Sequence, residues 1–339
     1  MTKKQCLAPG TVIEGTNLKY TIDHVLGTGA FGITYLATTQ VTIHGDLGAI
    51  DTYVLVTLKE LFVEGKMKRD GNEVVRDETN EELNSFARSF YMEADKMAEL
   101  SHPNIVKVLE VFVANNTCYY TMEYLPGGSL NDYIAKKDGL PEAEAVKYTR
   151  QIGSALAYMH GKKMVHLDVK PLNMVFDNDK QLKLIDYGLS IQYDNNDEPE
   201  ATESLCSGTP GYAPLEQSTA ETVEHFAPTM DVYGLGASYY KMLTGLNPGK
   251  AVEIANNGIN TMPLVSKNVS QQSIDAIKAA MQPVAEKRTQ TIEEFLALLP
   301  DIEETPEEEK NNGKKWKLFL FLAVPALLVL AAIFIMFYM

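Results

Sequence analysis

The residues with the strongest chemical signature lie in the middle of the chain, in the stretch HLDVKPLN at 166–173 and in the DYG that begins at Asp186. Asp168 can accept the proton of an attacking hydroxyl, and Lys170, two residues further on, can reach a phosphate group. Asn173 and Asp186 offer the hard oxygen ligands that Mg²⁺ prefers. Phosphoryl transfer needs a base, cations and metal ligands but little covalent help, so this chemistry is predicted. The alternative is a set of polar loop residues that cap turns.

The segment between these groups has the pattern of a β-hairpin. Strand-like runs near Met174–Phe176 and Leu182–Ile185 flank the turn residues 177–180. Because a hairpin returns the chain close to its starting point, it can bring Asn173 and Asp186 to one metal ion.

A glycine-rich segment, Gly27-Thr28-Gly29-Ala30-Phe31-Gly32, lies between two predicted strands. Glycines there allow backbone N–H groups to approach phosphate oxygens closely. The same pattern also fits a dinucleotide-binding fold or an ordinary hairpin turn. A strand follows it here rather than a helix, which disfavours the dinucleotide-binding fold. A phosphate-binding loop and a plain turn both stay open.

Lys59 ends a predicted strand, a position where a lysine is usually solvated. The helix that follows offers it a partner, because Glu93 falls on the apolar face of that helix. This face consists of Phe86, Phe90, Met97 and Leu100. A carboxylate on an inward face needs a cation, since burying it alone is very costly. The pattern therefore predicts a Lys59–Glu93 ion pair; the alternative is a surface pair between Glu93 and Lys96.

The elements that must position these groups divide the chain into a β-rich first part and a mainly helical second part. The first part has predicted strands at Tyr20–Leu26, Ile33–Thr39, Tyr53–Leu58, Ile105–Val113 and Thr117–Tyr124. It also has one amphipathic helix, Phe86–Leu100, after a polar connecting loop over 64–82. Beyond the breaker at 126–128, Ser129 can cap the next helix. Further helices are predicted at Glu142–His160, Met230–Thr244 and Ser273–Met281.

The composition argues against two classes of protein. The chain has 30 Lys and Arg against 45 Asp and Glu, a formal net charge of −15, whereas a nucleic-acid-binding protein needs a basic surface. The three cysteines, Cys6, Cys118 and Cys206, have no C-x-x-C spacing, which disfavours a disulfide framework or a zinc site. We therefore expect no nucleic-acid partner and a reducing compartment. The oligomeric state stays unknown.

The C-terminal segment has the composition of a membrane-spanning helix. Leu318–Tyr338 comprises 21 residues without a charge, and about 20 apolar residues suffice to cross a bilayer. An acidic and then basic linker, 301–315, precedes this predicted transmembrane helix, 316–338. Four lysines on that flank place it on the cytoplasmic side by the positive-inside rule. We expect a single-pass, tail-anchored protein whose chemical part faces the cytoplasm and whose C-terminal helix lies in the lipid bilayer.

Taken in order, these motifs resemble those of the eukaryotic-like serine/threonine protein kinases, and they are most similar to bacterial membrane-anchored members. The resemblance covers about residues 20–300. It implies an α+β, bilobal protein-kinase fold with a lead-in at 1–19, a β-rich N-lobe with one key helix at about 20–123, and a mainly α-helical C-lobe at about 129–300. It also implies ATP and Mg²⁺ as cofactors, proteins bearing Ser or Thr as substrates, and the bacterial inner membrane as the location.

The resemblance also implies roles for single residues. Asp168 resembles the catalytic base with Lys170 beside it, Lys59 and Glu93 resemble the strand lysine and its helix partner, and Asn173 and Asp186 resemble the metal ligands. The implied ATP-binding residues are Leu26, Gly27, Thr28, Gly29, Ala30, Phe31, Gly32, Thr34, Thr57, Lys59, Met122, Glu123, Leu125 and Val175. The implied supporting residues are Asp231, beneath the catalytic loop, and the pair Glu216 and Arg288, at the end of the activation segment.

One departure and two alternatives qualify the resemblance. Leu167 stands where many kinases have an arginine that grips a phosphorylated activation loop, so we expect activity to depend weakly on loop phosphorylation. Lys170 and Thr209 imply a serine/threonine rather than a tyrosine acceptor. A pseudokinase scaffold should lack Lys59, Asp168, Asn173 or Asp186, and all four are present. A small-molecule phosphotransferase of related fold is the other alternative, which Thr209 and a full activation segment disfavour.

Overall fold

The structure is a computed structural model that describes residues 5–29, 31–45, 48–186, 191–193, 208–219 and 227–301. Within these ranges the chain forms a β-rich first lobe and a mainly helical second lobe. The first lobe contains, in chain order, β1 (Val12–Glu14), β2 (Lys19–Thr28), β3 (Gly32–Gly45), β4 (Gly48–Leu61), β5 (Lys68–Asp70), β6 (Glu73–Val75), α1 (Glu81–Ala98), β7 (Val108–Ala114) and β8 (Thr117–Glu123). The five strands predicted from the sequence are confirmed, most of them with longer bounds.

Six of these strands form one antiparallel sheet in the order β1-β2-β3-β4-β8-β7. Strand β4 lies inside the sheet, and its residues Val56 and Leu58 are buried. The register places Lys59 opposite Thr34 on β3 and opposite Tyr120 on β8. Strand β1 pairs with β2, so the sheet extends into the segment that the sequence predicted as a lead-in.

The polar segment 64–82 is more ordered than predicted. Strands β5 and β6 pair as a hairpin within it, and α1 begins at Glu81 with Asn80 as its cap, whose side chain accepts from Leu83 N at 3.1 Å. The prediction of a connecting loop is therefore wrong for 68–75. The sequence did not show the hairpin because a tertiary contact holds it: Arg69 is buried in an ion pair with Glu60 on β4.

Helix α1 carries the predicted apolar face. Phe90, Met97 and Leu100 at this face are buried, and Phe86 is half-buried and contacts the Phe31 ring with centroids 5.3 Å apart. Glu93 lies within this helix; its side chain lies outside the described part of the structure.

The second lobe is built around one almost completely buried helix. Its helices are α2 (Leu130–Lys137), α3 (Glu142–Gly161), α4 (Leu215–Thr219), α5 (Pro228–Thr244), α6 (Ala251–Asn257), α7 (Met262–Ser266), α8 (Gln271–Ala280) and α9 (Ile292–Leu298). Its strands are β9 (Met164–Val165), β10 (Met174–Phe176), β11 (Leu182–Leu184) and β12 (Ile191–Gln192). Every residue of α5 from Met230 to Tyr240 is buried, and α5 packs against α3, α8 and α9.

The local signals in this lobe are confirmed. Ser129 caps α2, since its side chain accepts from Asp132 N at 3.1 Å. The long helices α3, α5 and α8 begin and end within about two residues of the predicted bounds. Strands β10 and β11 pair as the predicted hairpin. The two-lobed α+β architecture is thus the one that the sequence predicted.

The described part of the structure does not include the predicted membrane segment. Among the described residues no helix is both long and apolar enough to span a bilayer. The linker beyond Asp301 and the predicted transmembrane helix, 316–338, lie outside the described residues, and both remain predictions.

Candidate active site

A buried carboxylate on α5 holds the turn that carries the central residues. Asp231 is fully buried and accepts from His166 N and Leu167 N, each at 2.8 Å, and it lies 2.8 Å from His160 Nε2. Burial opposes its ionisation, but these donors outweigh burial and lower the pKa of Asp231 below its ordinary value. Asp231 therefore stays ionised and fixes two consecutive backbone N–H groups.

The fixed turn is strained. Leu167 has a φ of +64°, in the left-handed region that costs a non-glycine residue of the order of 1–3 kcal/mol. The chain here is also close to α5, because a Cβ on Gly234 would lie 2.9 Å from Val169 Cβ. Gln217 Nε2 donates to Leu167 O at 2.6 Å. These contacts hold Leu167 in this conformation, immediately before Asp168.

Asp168 lies at the centre of a cluster of polar contacts. Lys170 Nζ is 2.7 Å from Asp168 Oδ2, Thr209 Oγ1 donates to Asp168 Oδ1 at 2.7 Å, and Lys170 Nζ donates to Thr209 Oγ1 at 2.6 Å. Asn173 Nδ2 donates to both Asp168 O and Asp168 Oδ2 at 3.0 Å. An ammonium, a hydroxyl and an amide therefore all lie within hydrogen-bond distance of the Asp168 carboxylate.

The hairpin brings the two predicted metal ligands to the same place. Ile185 N donates to Asn173 O at 2.8 Å, which joins the ends of β10 and β11. Asp186 follows with a φ of +59°, and its Oδ1 lies 3.0 Å from Lys59 Nζ. The Lys59 ammonium holds the pKa of Asp186 below its ordinary value. The hairpin thus places Asn173 and the residue before the ionised Asp186 in direct backbone contact.

Lys59 links the two lobes. It comes from β4 in the first lobe, its ammonium reaches Asp186 in the second, and it lies 5.5 Å from the centre of the Tyr120 ring. The predicted ion pair with Glu93 involves a side chain outside the described residues, so it stays a prediction. The structure places Lys59 in the site rather than at a solvated strand end.

The glycine-rich segment forms the tip of the β2–β3 hairpin. A Cβ on Gly27 would have no atom within 4 Å, whereas a Cβ on Gly32 would lie 2.8 Å from Glu60 O. Gly32 is therefore needed where β3 passes against β4, and Gly27 borders open space. Leu26 and Phe31 are exposed, and Thr28 and Gly29 are exposed as well; Ala30 lies outside the described residues.

The other residues predicted to bind ATP form a second group. Thr57 and Met122 are paired in register and almost buried, and Thr34, Glu123, Leu125 and Val175 are half-buried. Glu123 N donates to Lys107 O at 3.0 Å, so the carbonyl is the part of its backbone that could bind a ligand.

A brace predicted from the sequence is confirmed. Arg288 Nη1 and Nη2 donate to the two carboxylate oxygens of Glu216 at 2.7 and 3.2 Å. Two supporting residues were missed, His160 and Gln217. Histidine in the last turn of a helix and glutamine in a short helix are common surface residues, so no sequence pattern indicated either role.

Leu167 belongs to an apolar cluster, in the position where many kinases have a charged side chain. The cluster consists of Val165, Leu167, Tyr193 and Met230, with Ile191 and Ala227 packed against it. Strand β12, which carries Ile191, pairs with β9 just before the turn. Apolar packing and a two-residue ladder therefore hold this part of the segment after Asp186.

Comparison with known proteins finds similarity to protein kinases. A family model described as protein kinase domain matches residues 63–302. The "Probable serine/threonine-protein kinase MARK-C" of Dictyostelium discoideum is 35% identical over 212 residues, 60% of this chain and 26% of that protein. A "Probable serine/threonine-protein kinase" of Clostridium perfringens is 31% identical over 242 residues, 69% of this chain and 34% of that protein. The chain thus spans about a quarter to a third of the length of these relatives.

The apolar cluster predicts a clear effect of charge at position 167. Leu167→Arg should lower the free energy of unfolding by about 2–4 kcal/mol, because it buries a guanidinium without a partner. The matched control Leu167→Met conserves volume and should cost less than about 1.5 kcal/mol. Denaturant unfolding of the three proteins measures both values, and equal stability of the arginine and methionine variants would contradict the packing described here.

Proposed function

The chain belongs to the protein kinase family, and on that premise we propose that it transfers the terminal phosphate of ATP to serine and threonine hydroxyls of proteins. The observation that carries the proposal is the contact triangle of Asp168, Lys170 and Thr209, with sides of 2.6 to 2.7 Å. Phosphoryl transfer to a hydroxyl requires a proton acceptor and a positive charge in one place. This triangle supplies both.

In this proposal Asp168 is the base. The Thr209 hydroxyl already donates to its Oδ1, which shows that the carboxylate accepts from an aliphatic hydroxyl. A serine or threonine of a substrate can donate in the same manner and then lose its proton to Asp168. Lys170 sets its positive charge beside the carboxylate, where it stabilises negative charge that develops on the transferred phosphate.

Asn173 and Asp186 are the residues that would hold Mg²⁺. Asn173 Nδ2 is directed to Asp168, so its Oδ1 points to the other side as an acceptor. Among the described residues no group of three or more His, Cys, Asp or Glu could hold a metal ion. Two oxygen donors still fit Mg²⁺, which proteins often bind through one or two carboxylates plus the phosphates of a substrate. When bound, the ion would neutralise charge on those phosphates.

The first lobe supplies the proposed ATP site. Lys59 approaches the site from β4 and offers a cation for the phosphates, and Gly27 leaves open space beside the hairpin tip. The neighbouring pair Thr57 and Met122 supplies an apolar wall with one hydroxyl for the adenine. We retain Glu93 as the proposed partner of Lys59 from its place on the apolar face of α1.

Specific observations disfavour two other functions. A scaffold without catalysis would not need Thr209 in contact with the proposed base. A small-molecule kinase would not need the brace between Glu216 and Arg288, which fixes the end of the activation segment. The curated relatives also bear the name serine/threonine-protein kinase.

We further propose that the chain is anchored in a membrane by 316–338, with the kinase part in the cytoplasm. The segment Leu318–Tyr338 has 14 Leu, Ile, Val or Phe residues among 21, and at roughly −0.4 kcal/mol each their insertion contributes on the order of 6 kcal/mol. A helix of this length reaches about 32 Å, close to the thickness of the hydrocarbon core. The lysines on its N-terminal flank indicate that this side of the helix is cytoplasmic. The kinase part needs ATP, which is also found in the cytoplasm.

The proposed role of Asp168 as the base leads to a prediction about activity. Asp168→Asn should lower magnesium-dependent transfer to a generic protein acceptor by about 100-fold or more, because it removes the proton acceptor. The measurement is incorporation of labelled phosphate by phosphatase-treated full-length enzyme, followed by phosphoamino-acid analysis. The label should appear on serine and threonine, and prior phosphatase treatment should change the wild-type rate little.

Asp275→Asn is the matched control, because Asp275 lies on the surface of α8, where its Oδ1 accepts from Gln271 Nε2. This variant should keep the wild-type rate. Undiminished transfer by Asp168→Asn would contradict the assigned base, and label found mostly on tyrosine would contradict the assigned acceptor.

The proposed membrane anchor leads to a prediction about cell fractionation. The full chain should fractionate with membranes and resist carbonate extraction, whereas a chain that ends at Asn312 should be soluble and keep its transfer activity. Western blotting of the fractions and a transfer assay on the shortened chain measure both. A full-length protein in the soluble fraction would show that the anchor proposal is wrong.

A further inference from the structure

Lys59 has a buried carboxylate as its immediate neighbour. Successive residues of a strand point to opposite faces of the sheet, so Glu60 points away from the site that Lys59 faces. Glu60 is fully buried. A carboxylate without access to water needs several donors to remain in place, and the face behind Lys59 supplies them.

Both oxygens of this carboxylate are used. Glu60 Oε1 accepts from Tyr119 OH at 2.5 Å, and Glu60 Oε2 accepts from Tyr35 OH at 2.8 Å and from Arg69 Nη2 at 2.5 Å. Burial raises the pKa of Tyr35 and of Tyr119, so both phenols stay protonated and donate. One carboxylate thus joins β3, β4, β5 and β8.

Arg69 extends the network to the N-terminal segment. Its Nε donates to Gln5 O at 2.7 Å and its Nη1 donates to Asn72 O at 3.0 Å, while its guanidinium lies 5.3 Å from the Phe62 ring centre. Leu7 N donates to Tyr35 OH at 3.1 Å. The hairpin of β5 and β6 and the segment around Gln5 are therefore fastened to the same point of the sheet.

The strand register relates the contacts of Glu60 to the position of Lys59. Opposite Lys59 lie Thr34 on β3 and Tyr120 on β8. The next residues along these strands are Tyr35 and Tyr119, the two that Glu60 holds. The hydrogen bonds of Glu60 lie on the face of the sheet opposite to the Lys59 side chain. They therefore fix the spacing of β3, β4 and β8 at the position of Lys59.

We propose that the network of Glu60, Arg69, Tyr35 and Tyr119 is a positioning device that holds the Lys59 ammonium in its place for ATP. The proposal rests on the proposed function, because it assigns Lys59 to the nucleotide phosphates. The segment around Gln5 and the hairpin of β5 and β6 then support the ATP site through Arg69.

A purely structural role is the competing explanation, and the same sheet provides a control. Glu110 is a second buried carboxylate, which accepts from Tyr20 OH at 2.6 Å. Thr121 Oγ1 donates to Tyr20 OH at 3.2 Å. These partners lie on β7 and β8, not on β4. Tyr20→Phe therefore removes one comparable hydroxyl from the sheet without releasing the strand of Lys59.

A double-mutant cycle on ATP binding tests the proposal. The full chain, Tyr35→Phe/Tyr119→Phe, Lys59→Met and the combination of all three are titrated with Mg-ATP by calorimetry. Loss of a hydrogen bond between a cation and a phosphate weakens binding by roughly 10-fold or more, so we expect the two phenylalanines to raise the Kd at least about fivefold with Lys59 present. With Lys59→Met the same two changes should alter the Kd less than about twofold, since coupled residues are not additive.

Tyr20→Phe should lower the Tm, as the phenylalanine pair does, but leave the Kd within about twofold. An unchanged Kd in Tyr35→Phe/Tyr119→Phe, an equal rise in the Lys59→Met background, or an equal rise in Tyr20→Phe would each overturn the proposal. If the phenylalanine pair does not fold, Glu60→Gln/Arg69→Met takes its place in the cycle with the same expectations, because it removes both charges together.

Failure of the proposed function would look different. A wild-type chain that binds Mg-ATP but transfers no phosphate to a protein would contradict the proposed activity alone. The Kd cycle does not depend on transfer and would still decide whether the network acts through Lys59.

Discussion

The arrangement of the site depends on one buried carboxylate. Asp231 accepts from two consecutive backbone N–H groups, those of His166 and Leu167. It thereby holds Leu167 in the left-handed region, which an isolated chain would avoid. Without that turn Asp168 would not project toward Lys170 and Thr209. Since α5 is buried along most of its length, the position of Asp231 is set by the core of the second lobe rather than by a flexible loop.

The first lobe solves the same problem by other means. It has a sheet rather than a buried helix, and Lys59 on β4 of this sheet contacts Asp186 of the second lobe. The carboxylate of Glu60 joins three strands of the sheet at the position of Lys59, so each lobe has a buried acid close to a residue of the candidate site. Both acids are satisfied by several donors, which is the condition under which burial of a charge is tolerated.

Residues whose spacing forms a motif or a helical period were predictable, and the resemblance also implied the distant pair of Glu216 and Arg288. Contacts that carry no such pattern were not predictable. The stretch 166–173 and the hairpin after it carry their spacing in the sequence, and the amphipathic face of α1 follows a helical period. By contrast, the pair of Glu60 and Arg69 depends on the packing of a hairpin that polar residues concealed. Glu93 and 316–338 remain predictions, because their side-chain contacts or positions lie outside the described residues.

The claim that Asp231 positions Asp168 is tested most directly by kcat of Asp231→Asn at saturating ATP and protein acceptor, measured well below the Tm. The amide puts an N–H where backbone donors point and loses one acceptor. If Asp231 positions Asp168, kcat should fall by about 100-fold while the Kd for Mg-ATP stays within about threefold, because Lys59 and the sheet are unaffected. A folded Asp231→Asn protein with kcat near that of the wild type would contradict it.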